Sequence, residues 1–163
     1  VDKNNQPWLV FVHEWTCTND HIGRMAIAKL SDDLSRIISE PVEIFRADSA
    51  PWTNKRVTDG CFMHRLSDGR LLMLWSNFED NGYCIGIAHS HNGEVSGQWV
   101  HEDAPLYKRN DIDHHDGGHG MIFSDTDGKQ YLCCHSPNQP CEECKERTIL
   151  LSVAERNGTL CIK

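Results

Sequence analysis

Carboxylates, imidazoles and thiols that could act together are concentrated in a few short stretches of this sequence. Gly117-Gly118-His119-Gly120 places an imidazole among glycines, with Asp116 just before it and Met121-Ile122-Phe123 just after. Glycines allow such a backbone to approach an axis closely. Asp59 precedes Gly60, a pair that taken alone is a common turn. Glu14 lies between His13 and Trp15 at the end of an apolar run, where a carboxylate can bind a hydroxyl. Cys133-Cys134-His135 followed by Cys141-x-x-Cys144 carries thiolate and imidazole, the ligands zinc prefers. Cys133 and Cys134 are neighbours in what reads as a strand, however, so their side chains point to opposite faces. A single Cys-x-x-Cys is present where structural zinc sites usually show paired ligand groups. A small Cys/His zinc-binding β protein therefore ranks behind the readings developed below.

Whatever positions these groups must be built from 163 residues, 39% of them hydrophobic and 25% charged, which suits one packed core and neither disorder nor a coiled coil. The formal net charge is −8 with Lys and Arg scattered, which argues against a nucleic-acid partner needing a clustered basic surface. The longest apolar run, Trp8 to Val12, is far too short to span a membrane as a helix. Val1-Asp2-Lys3-Asn4-Asn5 lacks the cationic-then-apolar pattern of a signal peptide. Eight cysteines in a chain too large to need staples read as free thiols, which leans toward a reducing, cytoplasmic setting.

The organisation of the chain is set by a repeat. Trp8–Val12, Leu71–Leu74 and Tyr131–Cys134 are apolar runs, each preceded by a turn: Asp2-Lys3-Asn4-Asn5, Ser67-Asp68-Gly69 and Thr126-Asp127-Gly128. Aligned on these runs, His13, Trp75 and His135 are equivalent and recur at about 60 residues, a period of propellers and other repeat arrays. Asp-Gly tolerates the positive φ of a tight hairpin, so each turn joins two strands. Cys61–Leu66 and Met121–Ser124 supply the strand before the turn; the first repeat has none. Third strands are expected at Arg24–Lys29, Tyr83–Ala88 and Thr148–Val153, and fourth strands at Val42–Phe45, Gln98–Val100 and Thr159–Ile162. Short antiparallel strands repeated in this way describe the blades of a β-propeller. Ser31–Arg36 has the composition of one capped helical turn, and Asn110–Asp116 reads as a polar, solvated loop.

At this point the sequence resembles a known family. Val57-Thr58-Asp59-Gly60-Cys61-Phe62 with Asp68-Gly69-Arg70-Leu71-Leu72-Met73-Leu74-Trp75-Ser76 is similar to the third blade of glycoside hydrolase family 43. Gly117-Gly118-His119-Gly120-Met121-Ile122-Phe123 resembles the Gly-His motif of its fourth blade; Leu30–Leu34 and Ala50-Pro51-Trp52 fit its loops. The resemblance implies an all-β, five-bladed propeller of which about three blades are present, at approximately 1–56, 57–110 and 111–163. It implies an inverting acid/base hydrolase of arabinose- or xylose-containing glycans, with plant-type oligosaccharide or polysaccharide as partner. Inversion places two carboxyl groups on opposite sides of the scissile bond, far enough apart to admit a water. A third carboxylate keeps the acid protonated. The resemblance puts the base and the modulating Asp before Val1, and Asp59 where the family's acid Glu stands. This chain alone is therefore expected to be inactive.

The site residues expected on this basis are Asp59 as acid and Glu14 as a second carboxylate at the mouth of the funnel. Trp15, Trp52 and Trp75 would stack on sugar rings, with Ser76 and His135 as further substrate contacts. No cofactor is required; a central calcium or other metal ion is implied only through His119, the residue that would face it. A non-catalytic carbohydrate-binding propeller is the alternative. The first blade's missing inner strand leaves an open edge, from which a homo-oligomer is expected.

Overall fold

The computed structural model describes residues 1–109, 115–140, 142 and 144–163. Eleven strands, numbered here in chain order, make up the described fold, with one 3-10 turn at Trp15–Cys17 and no α-helix. β1 (Trp8–His13), β2 (Arg24–Lys29) and β3 (Val42–Arg46) form the first sheet. β4 (Asp59–Arg65), β5 (Leu71–Glu79), β6 (Gly82–Ser90) and β7 (Trp99–His101) form the second. β8 (Gly118–Ser124), β9 (Gln130–Ser136), β10 (Arg147–Arg156) and β11 (Thr159–Ile162) form the third. Each sheet is an antiparallel meander in chain order, and every strand read from the repeat is present.

The Asp-Gly turns behave as their chemistry requires. Gly69 and Gly128 close the β4–β5 and β8–β9 hairpins at φ +89 and +78, where a side chain would be strained. Ser31–Arg36 departs from expectation. Leu34 sits at φ +61, and the segment is pinched shut by Ser31 N–H to the Arg36 carbonyl, so it is a tight turn rather than helix. Ser31, Asp33 and Ser35 bond one another instead of capping a helical backbone.

Stacking of the sheets explains why β5 reads as a continuous apolar run. Leu71, Met73 and Trp75 face the first sheet and pack with Met25, Ile27 and Phe45. Leu72 and Leu74 face the third sheet and pack with Ile85, Ile87, Ile122, Leu132 and Val153. A strand buried on both faces has no polar side to alternate with. In the third sheet the alternation returns: Ile122 is buried against the second sheet while Met121 and Phe123 are exposed on the other side.

Backbone register corrects the repeat by one residue. Asp59 pairs with Ser76 and Gly118 pairs with His135, each followed by a β-bulge before regular pairing resumes at Phe62 and Met121. The structural equivalent of His135 is therefore Ser76, and that of Trp75 is Cys134. Residues 110–114, including His114, lie outside those described. Asp116 at the end of that segment is not solvated: it is 1% exposed and accepts hydrogen bonds from Tyr83 N–H at 3.2 Å and Asn138 N–H at 3.1 Å.

Candidate active site

The two bulges face each other where the edge strands β4 and β8 meet. They place Gly60 and His119 at matching positions, both with left-handed backbone, φ +55 and +52. In the second sheet that conformation falls to a glycine. In the third it falls to a histidine, for which it costs roughly 1 kcal/mol. A side chain at Gly60 would sit 2.8 Å from His119 Cα, so the bulges nest through the glycine's missing Cβ. Ser76 fixes the same corner, its hydroxyl oxygen accepting a hydrogen bond from His119 N–H at 3.1 Å.

The nested bulges bring together Asp59, His119 and Tyr83. His119 Nε2 lies 3.0 Å from Asp59 Oδ1, the Tyr83 hydroxyl donates to Asp59 Oδ2 at 3.0 Å, and His119 Nδ1 lies 3.2 Å from the Tyr83 oxygen. Gly60 N–H adds a bond to Asp59 Oδ1 at 2.9 Å. With Asp59 ionised and the tyrosine's one proton committed to it, the three bonds are satisfied together when both nitrogens of His119 donate. The cluster is then an imidazolium facing a carboxylate. The titration tendencies agree. Burial alone would raise the Asp59 carboxyl, but the hydrogen bond and charge of His119, with the Tyr83 and Gly60 bonds, outweigh it and hold it below its ordinary value. The bond to Asp59 raises His119 against the opposing effect of burial. Burial, with the charge of Asp59, pushes the Tyr83 hydroxyl far up and keeps it a neutral donor.

The pair is open to solvent, with His119 half exposed and Asp59 about one-third exposed. His135 forms the adjoining wall. Its ring stacks on Tyr83 with centroids 5.7 Å apart and 20° between planes, Nδ1 is 3.4 Å from Glu146 Oε1, and Nε2 carries no hydrogen bond among the described residues. Tyr83 reaches Asp59 because Gly118 has no side chain: a Cβ there would lie 1.9 Å from the tyrosine ring. Tyr83 was not singled out from the sequence, and Gly60 and Gly118 were read only as a turn residue and as a glycine of close backbone approach. The signal was faint: a tyrosine heading an apolar strand, and glycines that also read as turn residues.

Other expected site residues take different places. Trp75 is fully buried between the first and second sheets, against Phe45, Trp52 and His101, so in this chain it cannot stack on a sugar. Trp52 is half buried and lies over Gly86, where its ring fills the space of a side chain; it packs the sheets together. Ser76 is fully buried and orients His119 rather than reaching a substrate. Glu14 is exposed at the head of the 3-10 turn, and its carboxylate bonds to no member of the cluster. Trp15, in that turn, is half buried. A metal ion held directly by His119 does not fit this arrangement, since both ring nitrogens are engaged by Asp59 and Tyr83. Among the described residues no group of three or more His, Cys, Asp or Glu is placed to hold a metal. Cys134 is buried in the core while Cys133 points the other way, as strand alternation requires; Cys141 lies outside the described residues.

Stacked meander sheets with ionisable groups gathered where their inner strands meet define a β-propeller with an axial polar site. The sequence matches the family model Glycosyl hydrolases family 43 over residues 1–160. The chain belongs to glycoside hydrolase family 43. Among solved structures it is similar to an endo-arabinase from Bacteroides thetaiotaomicron VPI-5482, at 36% identity and TM-score 0.83, covering 97% of this chain and 55% of that one. An endo-1,4-beta-xylanase from the same organism aligns at 22% identity and TM-score 0.81, covering 100% and 56%. An alpha-L-arabinanase from Cellvibrio cellulosa aligns at 18% and 0.72, covering 100% and 55%. No curated protein matches. The chain spans about half the length of these structures, and it is a partial propeller of the family 43 type.

Proposed function

We propose that this chain carries the proton-donating side of a family 43 glycoside hydrolase site for arabinose- or xylose-containing glycans, with Asp59 delivering the proton. The observation that carries this is the Asp59–His119–Tyr83 cluster, solvent-open at the meeting of β4 and β8. At rest Asp59 is a carboxylate and the transferable proton sits on His119 Nε2. A sugar seated over the cluster excludes water, and loss of solvation favours the neutral forms of both partners. The proton then passes along the 3.0 Å contact from His119 Nε2 to Asp59 Oδ1, and from Asp59 to the glycosidic oxygen as the bond to the sugar breaks. Tyr83 and Gly60 hold the carboxylate in place.

An inverting reaction also needs a second carboxylate to activate water across the sugar ring. Glu14 forms no hydrogen bond or ion pair with the cluster, and the groups bonded to Asp59 are His119, Tyr83 and Gly60. General acid catalysis alone supplies only about 10²–10⁴-fold. We therefore expect the 163-residue chain to be retarded in gels containing arabinan or xylan while releasing no detectable nitrophenol from aryl arabinosides or xylosides. Absence of retardation would remove the glycan-binding reading. Turnover abolished by Asp59→Ala would place the base within this chain and contradict the division of labour proposed.

A further inference from the structure

Asp116 is a buried carboxylate that takes no part in the proton transfer from His119 through Asp59. It opens the segment Asp116-Gly117-Gly118-His119, and each of these four residues meets a different part of Tyr83. Asp116 Oδ2 accepts the Tyr83 N–H at 3.2 Å, and the Gly117 N–H donates to the Tyr83 carbonyl at 3.1 Å. Gly118 lacks the Cβ that would occupy the place of the tyrosine ring, and His119 Nδ1 lies 3.2 Å from the hydroxyl. Tyr83 needs this hold, because its own ladder leaves its backbone groups unpaired. Its partner across β5 and β6 is Phe78, whose N–H goes to the Asn77 side chain and whose carbonyl takes the Asn54 N–H. Phe78 and Tyr83 therefore form a non-hydrogen-bonded pair, and the Tyr83 N–H and C=O point away from β5. Tyr83 is buried, so leaving those groups without partners would be costly.

We propose that Asp116 is a positioning residue for the Asp59 site: by fixing the backbone of Tyr83 it holds the phenol hydroxyl between Asp59 Oδ2 and His119 Nδ1. Asp116 is itself keyed in place. Its Oδ1 accepts the Asn138 N–H at 3.1 Å and faces Arg109 Nη2 at 3.6 Å, and its carbonyl takes the Ser136 hydroxyl at 3.0 Å. Gly82 leaves open the space that the carboxylate fills, since a Cβ there would lie 2.9 Å from Asp116 Oδ2. Among the described residues the groups bonded to Asp116 are Tyr83, Asn138, Ser136 and Arg109, and they include neither Asp59 nor His119. Its influence on that pair therefore runs through Tyr83. The catalytic meaning of this hold rests on Asp59 as the proton donor; the placement of Tyr83 is measured without sugar, so either can fail alone.

Imidazole NMR titration of the full chain, with no glycan present, tests the proposal. Asp59, Tyr83 and Glu146 are the ionisable groups that act on His119, and the Tyr83 oxygen supports its imidazolium form. Asp116→Ala releases Tyr83 and is expected to lower the His119 midpoint by about one pH unit, roughly the worth of one hydrogen bond to a charged group. Tyr83→Phe is expected to give the same fall, and Asp116→Ala in the Tyr83→Phe background no further fall. Asp116→Asn, which keeps the shape but turns one acceptor into a donor, is expected to move the midpoint in the same direction. Should both variants at 116 fail to fold, amide exchange in the unsubstituted chain decides: the Tyr83 N–H is expected to exchange as slowly as the ladder amides of β5. Fast exchange there overturns the proposal. So does a His119 midpoint unmoved in a folded variant at 116, or a double variant whose fall is the sum of the single ones.

Discussion

Replacing Trp75 with alanine is expected to lower stability by about 3–5 kcal/mol, the usual cost of deleting a large aromatic from a packed core. The indole is fully buried and touches Phe45, Trp52 and His101 at centroid distances of 5.1, 4.9 and 5.3 Å, joining the first sheet to the second. Its Nε1–H has no acceptor among the described residues, so Trp75→Phe, which keeps the ring and removes the orphaned donor, should cost much less. Urea denaturation of the three proteins reads the difference. A surface platform for sugars would behave in the opposite way, with unchanged stability and lost glycan retention in the alanine variant.

Gly60→Ala is expected to be nearly as damaging, at about 2–4 kcal/mol, because two penalties coincide. A non-glycine residue at φ +55 is strained by roughly 1 kcal/mol. The added methyl also meets the backbone of His119 at 2.8 Å, which cannot rotate away as a side chain would. Gly69→Ala separates the two effects. It shares the left-handed backbone, at φ +89, but nothing lies within 4 Å of its missing Cβ, so only the conformational part remains. If both substitutions cost the same in urea denaturation, the nesting of the β4 and β8 bulges is wrong.

Most of the fold was legible because its devices are local. An Asp-Gly turn before an apolar run needs no partner to be recognised, and Asp68-Gly69 and Asp127-Gly128 each mark a hairpin in the structure. What was hidden depends on residues far apart in the chain. The position of Leu71 in β5 is taken in β9 by the polar Gln130, so the third apolar run begins one residue later and aligning the runs matched His135 with Trp75 rather than with Ser76. Trp75 itself could not be assigned to core or surface, because β5 is buried on both faces and gives no alternation to read. Tyr83 was invisible for a related reason. Its reach to Asp59 depends on the absent side chain of Gly118 in another sheet, which no pattern around Tyr83 records. Asp59 and His119 were singled out through the family resemblance. Their direct pairing rests on the left-handed turn at His119, which only the three-dimensional arrangement shows.

We propose that Asp59, His119 and Tyr83 hold the glycan in this family 43 chain. The most direct measurement is a titration of the isotopically labelled chain with linear arabino- and xylo-oligosaccharides, followed by backbone amide and imidazole NMR resonances. The largest shifts are expected at Asp59, Gly60, Tyr83, His119 and His135, with His119 moving from the doubly protonated toward the neutral imidazole as sugar displaces water, and with Asp59→Asn abolishing that change. Saturable shifts confined to other surfaces, with the His119 ring unmoved, would contradict it.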